Sequence, residues 1–226
     1  MENMIHIQKL SRTFRTEEVE TLALNEVNLS VKKGEFTAIM GPSGCGKSTL
    51  LNIIGLLDNP SSGSYQFDGQ EVSGLRERQR TALRKGNIGF VFQSFNLIDE
   101  LNVYENIEVP LKYLGISASE RKTRIEEVLE RMKIGHRRKH FPQQLSGGQQ
   151  QRVFLARALA QESDLYLMDE PFAGVDAATE SAIVELLRDL KERGKTLLVV
   201  HHDLATAREY FDKLMLLNMR LVAYGE

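Results

Sequence analysis

The sequence predicts an α/β fold in which helices cover a parallel sheet, with an antiparallel β subdomain near the N-terminus and an inserted helical subdomain. Near-continuous apolar runs at residues 36–40, 165–168 and 196–200 are typical of strands buried on both faces. Amphipathic helical patterns alternate with these runs, as they do in strand-helix-strand units. Residues 94–152 interrupt the alternation with helical periodicity and polar loops, which indicates the insert.

The first part of the chain is predicted to form short strands on either side of a glycine-rich loop. Strands are expected at residues 5–7, 22–31 and 36–40, a helix at 47–57, a loop at 59–63 and a return strand at 64–67. Residues 32–35 are predicted to be a hairpin turn, because Gly34 supplies the positive φ that such a turn needs.

The later part of the chain returns to the core pattern after the insert. Before the insert, a buried strand is expected at residues 87–92, and within the insert Ile125, Val128, Leu129 and Met132 recur at the spacing of one helix face. Further elements are a strand at 165–168, a helix around 183–190, a strand at 196–200 and a terminal hairpin at 213–224. We therefore expect a single domain over 1–226, with a core of residues 1–93 and 153–226 and the insert at 94–152.

Composition and charge exclude several classes of protein. The chain has 226 residues and a formal net charge of −2, from 29 basic and 31 acidic side chains, so it lacks the basic excess of a nucleic-acid binder. No apolar run approaches the roughly 18–20 residues that span a bilayer, and the first residues do not resemble a signal peptide. A single cysteine, Cys45, excludes an internal disulfide. We expect a cytoplasmic domain with no direct membrane insertion.

A phosphate-binding loop is predicted between a buried strand and a helix. Residues 41–48 read GPSGCGKS and fit G-x-x-x-x-G-K-[ST], the pattern in which backbone N–H groups and a helix N-terminus surround phosphate. The residues expected to contact nucleotide are Gly41, Ser43, Gly44, Cys45, Gly46, Lys47, Ser48 and Thr49. Lys47 is expected to reach the β- and γ-phosphates, and Ser48 to bind Mg²⁺. Cys45 is either a thiol activated by the helix N-terminus or an inert side chain.

Two acids, Asp169 and Glu170, follow the apolar run at 165–168. Phosphoryl transfer assisted by Mg²⁺ needs a carboxylate near the metal and a group that orients the attacking water. Asp169 suits the first role, acting on Mg²⁺ through water or Ser48, and Glu170 suits the role of general base. Such a pair is a weak signal alone, but about 120 residues after a phosphate loop it becomes specific.

Residues 145–152 read LSGGQQQR, and this segment resembles the signature sequence of ABC-family ATPases. Ser146, Gly148 and Gln149 would present a hydroxyl, bare backbone N–H groups and a helix N-terminus to a phosphate. The resemblance implies a P-loop NTPase (RecA-like) core and a site for ATP and Mg²⁺. It also implies an antiparallel homodimer, in which the signature segment of one subunit covers the ATP held by the other.

Other residues match further parts of the family pattern. Gln93 matches the glutamine that senses Mg²⁺ and the membrane partner, and Asp176 matches the acid of a loop that acts across the dimer. His202 matches the switch histidine at the γ-phosphate, because His201 stands where relatives often carry Thr. Phe14 is either the aromatic that stacks on adenine or an ordinary half-buried strand residue. The resemblance assigns catalysis to Glu170, His202, Gln93 and Lys47, and the metal to Ser48, Gln93 and Asp169.

The two parts of the chain resemble different subfamilies. Passages at 36–44, 51–58 and 89–98 resemble ATPases of the lipoprotein-release and macrolide-efflux class. From residue 153, passages at 170–180 and 200–204 resemble ATPases of manganese and zinc importers. A composite origin, with a join in the signature region, is the hypothesis that accounts for both.

The resemblance implies an ATP-hydrolysing subunit that drives transport by ATP-dependent dimerisation, at the inner face of the cell membrane. Its partner would be an integral membrane permease that docks near residues 93–141. Because that stretch resembles the first class, efflux or lipoprotein release is preferred. The alternatives are a metal-ion importer and a force-transmitting ATPase that moves no substrate.

Overall fold

The computed structural model describes residues 2–15, 20–92 and 97–225, which form two sheets with helices around them. The strands are β1 Asn3–Arg15, β2 Glu20–Lys32, β3 Phe36–Met40, β4 Ser62–Phe67, β5 Gln70–Glu71, β6 Ile88–Val91, β7 Leu165–Asp169, β8 Thr196–Val200, β9 Lys213–Asn218 and β10 Arg220–Gly225. The helices are α1 Lys47–Ile54, α2 Glu77–Arg84, α3 Val103–Tyr113, α4 Ala118–Arg131, α5 Gly147–Leu159, α6 Ala177–Glu192 and α7 Leu204–Tyr210.

The central sheet has the order β10-β9-β3-β8-β7-β6 and is parallel from β9 to β6. Every residue of β3 and of β8 is buried, as expected for strands covered on both faces. The predicted terminal hairpin forms β9 and β10, which pair antiparallel at the edge, with Met219 at the turn in the left-handed region (φ +53°). The predicted parallel core is confirmed.

A second, antiparallel sheet has the order β2-β1-β4-β5 and forms the N-terminal β subdomain. Strand β1 has 13 residues and is much longer than the predicted 5–7. Pairing with β2 extends from Asn3 to Arg15, with several shifts of register along the way. These irregularities break the regular alternation of apolar and polar residues, which explains why the pattern revealed only the start of the strand.

The prediction of a hairpin at residues 32–35 was wrong in its connectivity. The turn itself is present, since Gly34 has φ +79° and the N–H of Glu35 donates to the carbonyl of Lys32 at 3.3 Å. However, β2 belongs to the antiparallel sheet, and β3 lies between β8 and β9 in the parallel one. The turn therefore carries the chain from one sheet to the other.

Helix α1 ends at Ile54, three residues before the predicted end at residue 57. Gly55 closes the helix, and Leu56 has φ +58°, which a continuing helix does not allow. Close packing accounts for the glycine: a Cβ on Gly55 would lie 2.0 Å from the ring of Phe90. The helix therefore stops where it meets β6.

Helices α3, α4 and α5 surround part of the larger apolar cluster at one end of the central sheet. The predicted apolar face at Ile125, Val128 and Leu129 is buried on α4. Helix α5 runs from Gly147 to Leu159, so it continues through the boundary predicted at residue 152. Among the described helices, none has both the length and the apolar character needed to cross a bilayer.

Candidate active site

The loop between β3 and α1 is held tightly between two strands. Gly41 (φ +153°) and Gly46 (φ +97°) adopt backbone conformations that other residues rarely take. A Cβ on Gly41 would lie 2.1 Å from the carbonyl oxygen of Leu217, and one on Gly46 would lie 2.5 Å from that of Ala23. The glycines are therefore required by backbone approach as well as by φ.

Lys47 lies beneath this loop with only 7% of its surface exposed. Its Nζ donates to the carbonyl oxygens of Gly41 at 2.8 Å and Pro42 at 2.9 Å, which fixes the ammonium inside the curve of the loop. Cys45 is also buried, with Sγ 3.8 Å from the same Nζ. The sequence left open whether this thiol is reactive, and the structure places it as a packed side chain under the loop.

Ser48 and Asp169 come together although they are far apart in sequence. The Ser48 hydroxyl, in the first turn of α1, donates to Oδ2 of Asp169 at 2.8 Å. Asp169 is the last residue of β7, so the carboxyl end of this strand meets the N-terminus of α1. A hydroxyl and a carboxylate side by side are oxygen ligands of the kind that Mg²⁺ prefers.

Glu170 and His202 face each other at the ends of β7 and β8. The Nε2 atom of His202 lies 2.6 Å from Oε1 of Glu170. Glu170 has φ +53°, so the chain turns sharply after the strand and brings this carboxylate towards His202. The sequence predicted both residues for catalysis, and the structure places them in contact.

Lys47, Ser48, Glu170 and His202 meet at one open cavity of about 520 Å³. It is lined by Ala23, Ser43, Gly44, Gly46, Lys47, Ser48, Thr49, Glu170 and His202. All but Ala23 were predicted from the sequence. Ala23 lies on β2 against Gly46. A local sequence pattern does not reveal a contact between residues that are so distant in sequence.

The signature segment lies at the start of α5 and outside the lining of this cavity. Ser146 caps the helix: its hydroxyl accepts from the N–H of Gln149 at 3.4 Å, and the Gln149 side chain accepts from the N–H of Ser146 at 3.0 Å. In the first turn of α5, Gly147 is exposed and Gly148 is partly exposed, and neither carries a side chain that would cover its own backbone N–H. The segment therefore offers a second helix N-terminus to an anion.

Asp176 caps α6 in the same way. Its carboxylate accepts from the N–H of Thr179 at 2.9 Å and from the Thr179 hydroxyl at 3.0 Å. The backbone hydrogen bond, followed by the hydroxyl, holds the pKa of Asp176 below its usual value. In the single subunit, this acid therefore fixes the loop that precedes α6.

Besides the signature segment and Asp176, the predicted residues Phe14, Gly41, Cys45 and Asp169 are described by the structure but do not line the cavity. Phe14 lies on β1 with 42% of its surface exposed, and the guanidinium carbon of Arg12 is 4.6 Å from the centre of its ring. Its role in stacking on adenine stays a prediction. Gln93 lies outside the described residues.

His201 has a different environment from its neighbour. It is buried, its Nε2 lies 2.8 Å from the Thr206 hydroxyl, and its ring packs edge-on against Phe172 with centroids 5.5 Å apart. Burial lowers the pKa of His201 and favours the neutral ring. The two histidines thus have different partners, and no group of three His, Cys, Asp or Glu side chains suited to a metal occurs in the described ranges.

Comparison with known proteins agrees with this geometry. The model of the ABC transporter family matches residues 24–173. An uncharacterised ABC transporter ATP-binding protein of Thermotoga maritima is 46% identical over 209 residues, which cover 92% of this chain and 89% of that protein. A macrolide export ATP-binding/permease protein of Marinobacter nauticus is 44% identical over 88% of this chain, which spans only 31% of that protein's length.

A solved dimeric structure has the same fold as this chain. The structure of a dimeric ATP-binding cassette in a post-hydrolysis state, bound to ADP and Pi, matches with a TM-score of 0.92 and 41% identity. The match covers 99% of this chain and 98% of that one. The phosphate loop, the two acids and the signature helix are thus set in the fold in which the family binds ATP. The chain belongs to the ABC transporter family, as an ATP-binding ATPase domain.

Proposed function

We propose that the chain binds Mg²⁺-ATP in the 520 Å³ cavity and hydrolyses it with Glu170 as general base. The observation that carries this proposal is the convergence of Lys47, Ser48, Glu170 and His202 on one cavity. Lys47 would neutralise charge on the β- and γ-phosphates, and the N–H groups of the loop would surround their oxygens. Such positioning and charge stabilisation supply most of the catalysis of phosphoryl transfer.

The donor set fits Mg²⁺. This ion is usually held by one or two protein oxygen ligands together with phosphate oxygens and water, so the Ser48–Asp169 pair suffices. When bound, the ion would neutralise charge that develops on the phosphates during transfer. Ser48 would hold it directly and Asp169 through the hydroxyl or a water molecule, and Gln93 remains the proposed third contact.

Glu170 would hold the attacking water and accept its proton, and His202 would fix the direction of the carboxylate. A general base must lie within hydrogen-bond reach of the proton that it removes, and Glu170 lines the cavity that holds the phosphate loop. The 2.6 Å contact with His202 restricts the rotamers of Glu170. His202 also lines the cavity, so it would contact the γ-phosphate from the same position.

The site would be completed by a second copy of the chain. Within one subunit, the cavity is open to solvent, and its lining includes none of Ser146, Gly148 and Gln149. The exposed N-terminus of α5 would instead cover the γ-phosphate of ATP bound to a partner subunit. The dimeric form of the similar cassette supports this arrangement. ATP would then hold two subunits together, and hydrolysis would release them.

A membrane permease would dock in a groove of about 390 Å³ between α2, β6, α3 and α5. Its lining is largely apolar and has a basic edge, and Phe90 and Phe92 stack at its floor with centroids 4.8 Å apart. The basic side chains are Arg84, Lys85 and Arg157. An amphipathic helix with an acidic group would fit this surface. The groove includes residues of the stretch 93–141, where docking was expected from the sequence.

Efflux or lipoprotein release is the proposed type of transport, and the macrolide export relatives support it. The alignments with relatives cover 88–94% of the chain, so each runs through both parts that resemble different subfamilies. The composite origin stays a hypothesis, and an importer or a force-transmitting ATPase remains the alternative. The proposed location is the inner face of the cell membrane.

The proposal is tested by measuring phosphate release from Mg²⁺-ATP by the purified chain at increasing protein concentration. A dimeric site predicts that the activity per subunit rises with protein concentration, because pairing is then favoured by mass action. Activity strictly proportional to protein concentration over the whole range would argue for a site complete in one subunit. For the partner, capture from membranes of a permease whose binding is lost in Phe92→Asp is expected, and binding that survives this change would reject the groove.

A further inference from the structure

Helix α5 carries the signature segment at its start and, in the next turn, two side chains that bond to the chain after Glu170. Gln151 is 2% exposed, and its Nε2 donates to the carbonyl oxygen of Pro171 at 2.6 Å. Arg152 donates from Nη2 to the hydroxyl of Thr179 at 2.8 Å. The helix is therefore attached at two points to the segment that begins with the general base.

The first attachment supports the turn that directs Glu170. The φ of Glu170 is +53°, a conformation that a residue with a side chain keeps only when its surroundings hold it there. The carbonyl of Glu170 accepts from the N–H of Ala173 at 3.1 Å, and Gln151 holds the carbonyl of the next residue, Pro171. A shift of α5 would thus move the turn and change how the carboxylate meets His202.

The second attachment fixes the loop that contains Asp176 and precedes α6. Thr179 is 2% exposed, and it donates to both oxygens of Asp176 while accepting from Arg152. Any movement of α5 along its axis would therefore be passed to both ends of residues 170–179. Coupling between sites needs such a continuous chain of packed and hydrogen-bonded groups.

We propose that Gln151 is a positioning residue through which the signature helix controls the general base of its own subunit. This inference rests on the proposed function, in which α5 covers the ATP of the partner subunit while Glu170 acts on the ATP of its own. Contact of α5 with the partner's nucleotide would set the Glu170 turn through the bond from Gln151 to Pro171. Each subunit would then become active when it has engaged the ATP of the other, which makes hydrolysis cooperative in ATP.

The test compares Gln151→Met with the wild-type chain. Methionine keeps the length and volume of the side chain but cannot donate to Pro171. Gln143→Leu is the matched control, because Gln143 also donates a side-chain amide to a carbonyl, that of Asp99 at 3.3 Å, away from Glu170. For Gln151→Met, we expect unchanged ATP affinity in a binding titration, kcat lower by about tenfold, and a Hill coefficient that falls towards one. A purely structural defect would instead change the binding affinity or the thermal melt.

Gln151→Leu is the second variant, since it also removes the bond to Pro171 and keeps an apolar side chain in the same buried position. If Gln151→Met unfolds at a lower temperature than the wild-type chain, this second variant provides the test. It is also expected to lower the Hill coefficient. Wild-type cooperativity in a folded Gln151→Met chain, or in Gln151→Leu when the first variant is unfolded, would overturn the inference while the shared site stands. If the wild-type chain shows no ATP-dependent dimer, the proposed function fails, and the inference fails with it.

Discussion

The Nε2 atom of His202 lies 2.6 Å from Oε1 of Glu170, and this contact joins the ends of the neighbouring strands β8 and β7 beside the phosphate loop. Neither side chain takes part in the hydrogen bonds that hold Lys47 under the loop. In the proposed mechanism, Lys47 therefore serves mainly ATP binding, and Glu170 serves mainly hydrolysis. Substitutions should separate the two.

Glu170→Gln should leave ATP binding intact and lower turnover by about 10²–10⁴, the usual contribution of a general base. The amide keeps the size of the side chain but cannot accept the proton of the attacking water. Because hydrolysis is then blocked, ATP should trap the dimer, which gel filtration with ATP would detect. A variant that stays monomeric at saturating ATP would contradict the shared site.

His202→Ala should lower kcat by about 10²-fold with little change in ATP affinity, because it removes a contact that directs the Glu170 carboxylate and the proposed contact with the γ-phosphate. His201→Phe is the control, since His201 packs among Phe172, Tyr210 and Phe211 and faces away from the cavity of the phosphate loop. Steady-state kinetics of both variants should differ by at least tenfold. Equal losses of kcat in His202→Ala and His201→Phe would mean that the contact between His202 and Glu170 acts through packing alone.

Lys47→Ala should abolish measurable ATP binding. The substitution removes the cation that meets the phosphates and leaves the carbonyls of Gly41 and Pro42 without their donor. Isothermal calorimetry with ATP would measure this, with the exposed Lys122→Ala on α4 as a control for lost positive charge. Undiminished binding in Lys47→Ala would rule out the phosphate loop.

Glu35→Gln should destabilise the domain in a way that depends on pH. The Glu35 carboxylate accepts from Nζ of Lys213 at 2.6 Å and from the hydroxyl of Tyr224 at 2.5 Å, which ties the terminal hairpin to the start of β3. Burial works against its charge, but these hydrogen bonds prevail and hold the pKa of Glu35 below its usual value. We expect a loss of about 1–3 kcal/mol in the free energy of unfolding at neutral pH.

The sign of the pH dependence follows from the lowered pKa. Stability from Glu35 is complete above its unfolded pKa, about 4.3, and is lost as the pH falls through the lower folded value. The difference between wild type and Glu35→Gln in urea unfolding should therefore close below about pH 4. A difference that stays constant down to about pH 3 would show that Glu35 acts by packing and not by charge.

The features predicted best from the sequence are those that depend on consecutive residues. Strands β3 and β8 appear at their predicted bounds because a strand buried on both faces is a continuous apolar run. The turn at residues 32–35 was recognised as a turn, but which sheet β3 joins is decided by pairing with β8 and β9, far along the chain.

In the candidate active site, too, features that depend on local patterns were predicted and features that depend on long-range contacts were not. The motif at residues 41–48 and the acids at 169 and 170 were predicted from local patterns, and the structure brings them together at one end of the parallel sheet. Ala23 and the bond from Gln151 to Pro171 were missed, because each depends on a contact between segments that are distant in sequence. Local patterns carry no information about such contacts.

The shared site is tested most directly by mixing two inactive variants. Lys47→Ala removes the phosphate loop's cation but keeps the signature segment. Gly148→Asp places a negative charge at the start of α5, where a Cβ has room, 3.9 Å from the Thr179 hydroxyl. Each variant alone should be nearly inactive. In a mixed dimer, one site would combine the intact phosphate loop of the second variant with the intact signature segment of the first.

Phosphate release should therefore reappear when the two variants are mixed, approaching about a quarter of wild-type activity if subunits pair at random and each intact site works alone. Because the inferred link through Gln151 would reduce the activity of a dimer with one intact site, the decisive comparison is with each variant alone. Activity in the mixture well above the sum of the two would confirm a site built from two subunits. Activity no higher than that sum, with mixed dimers present, would contradict it.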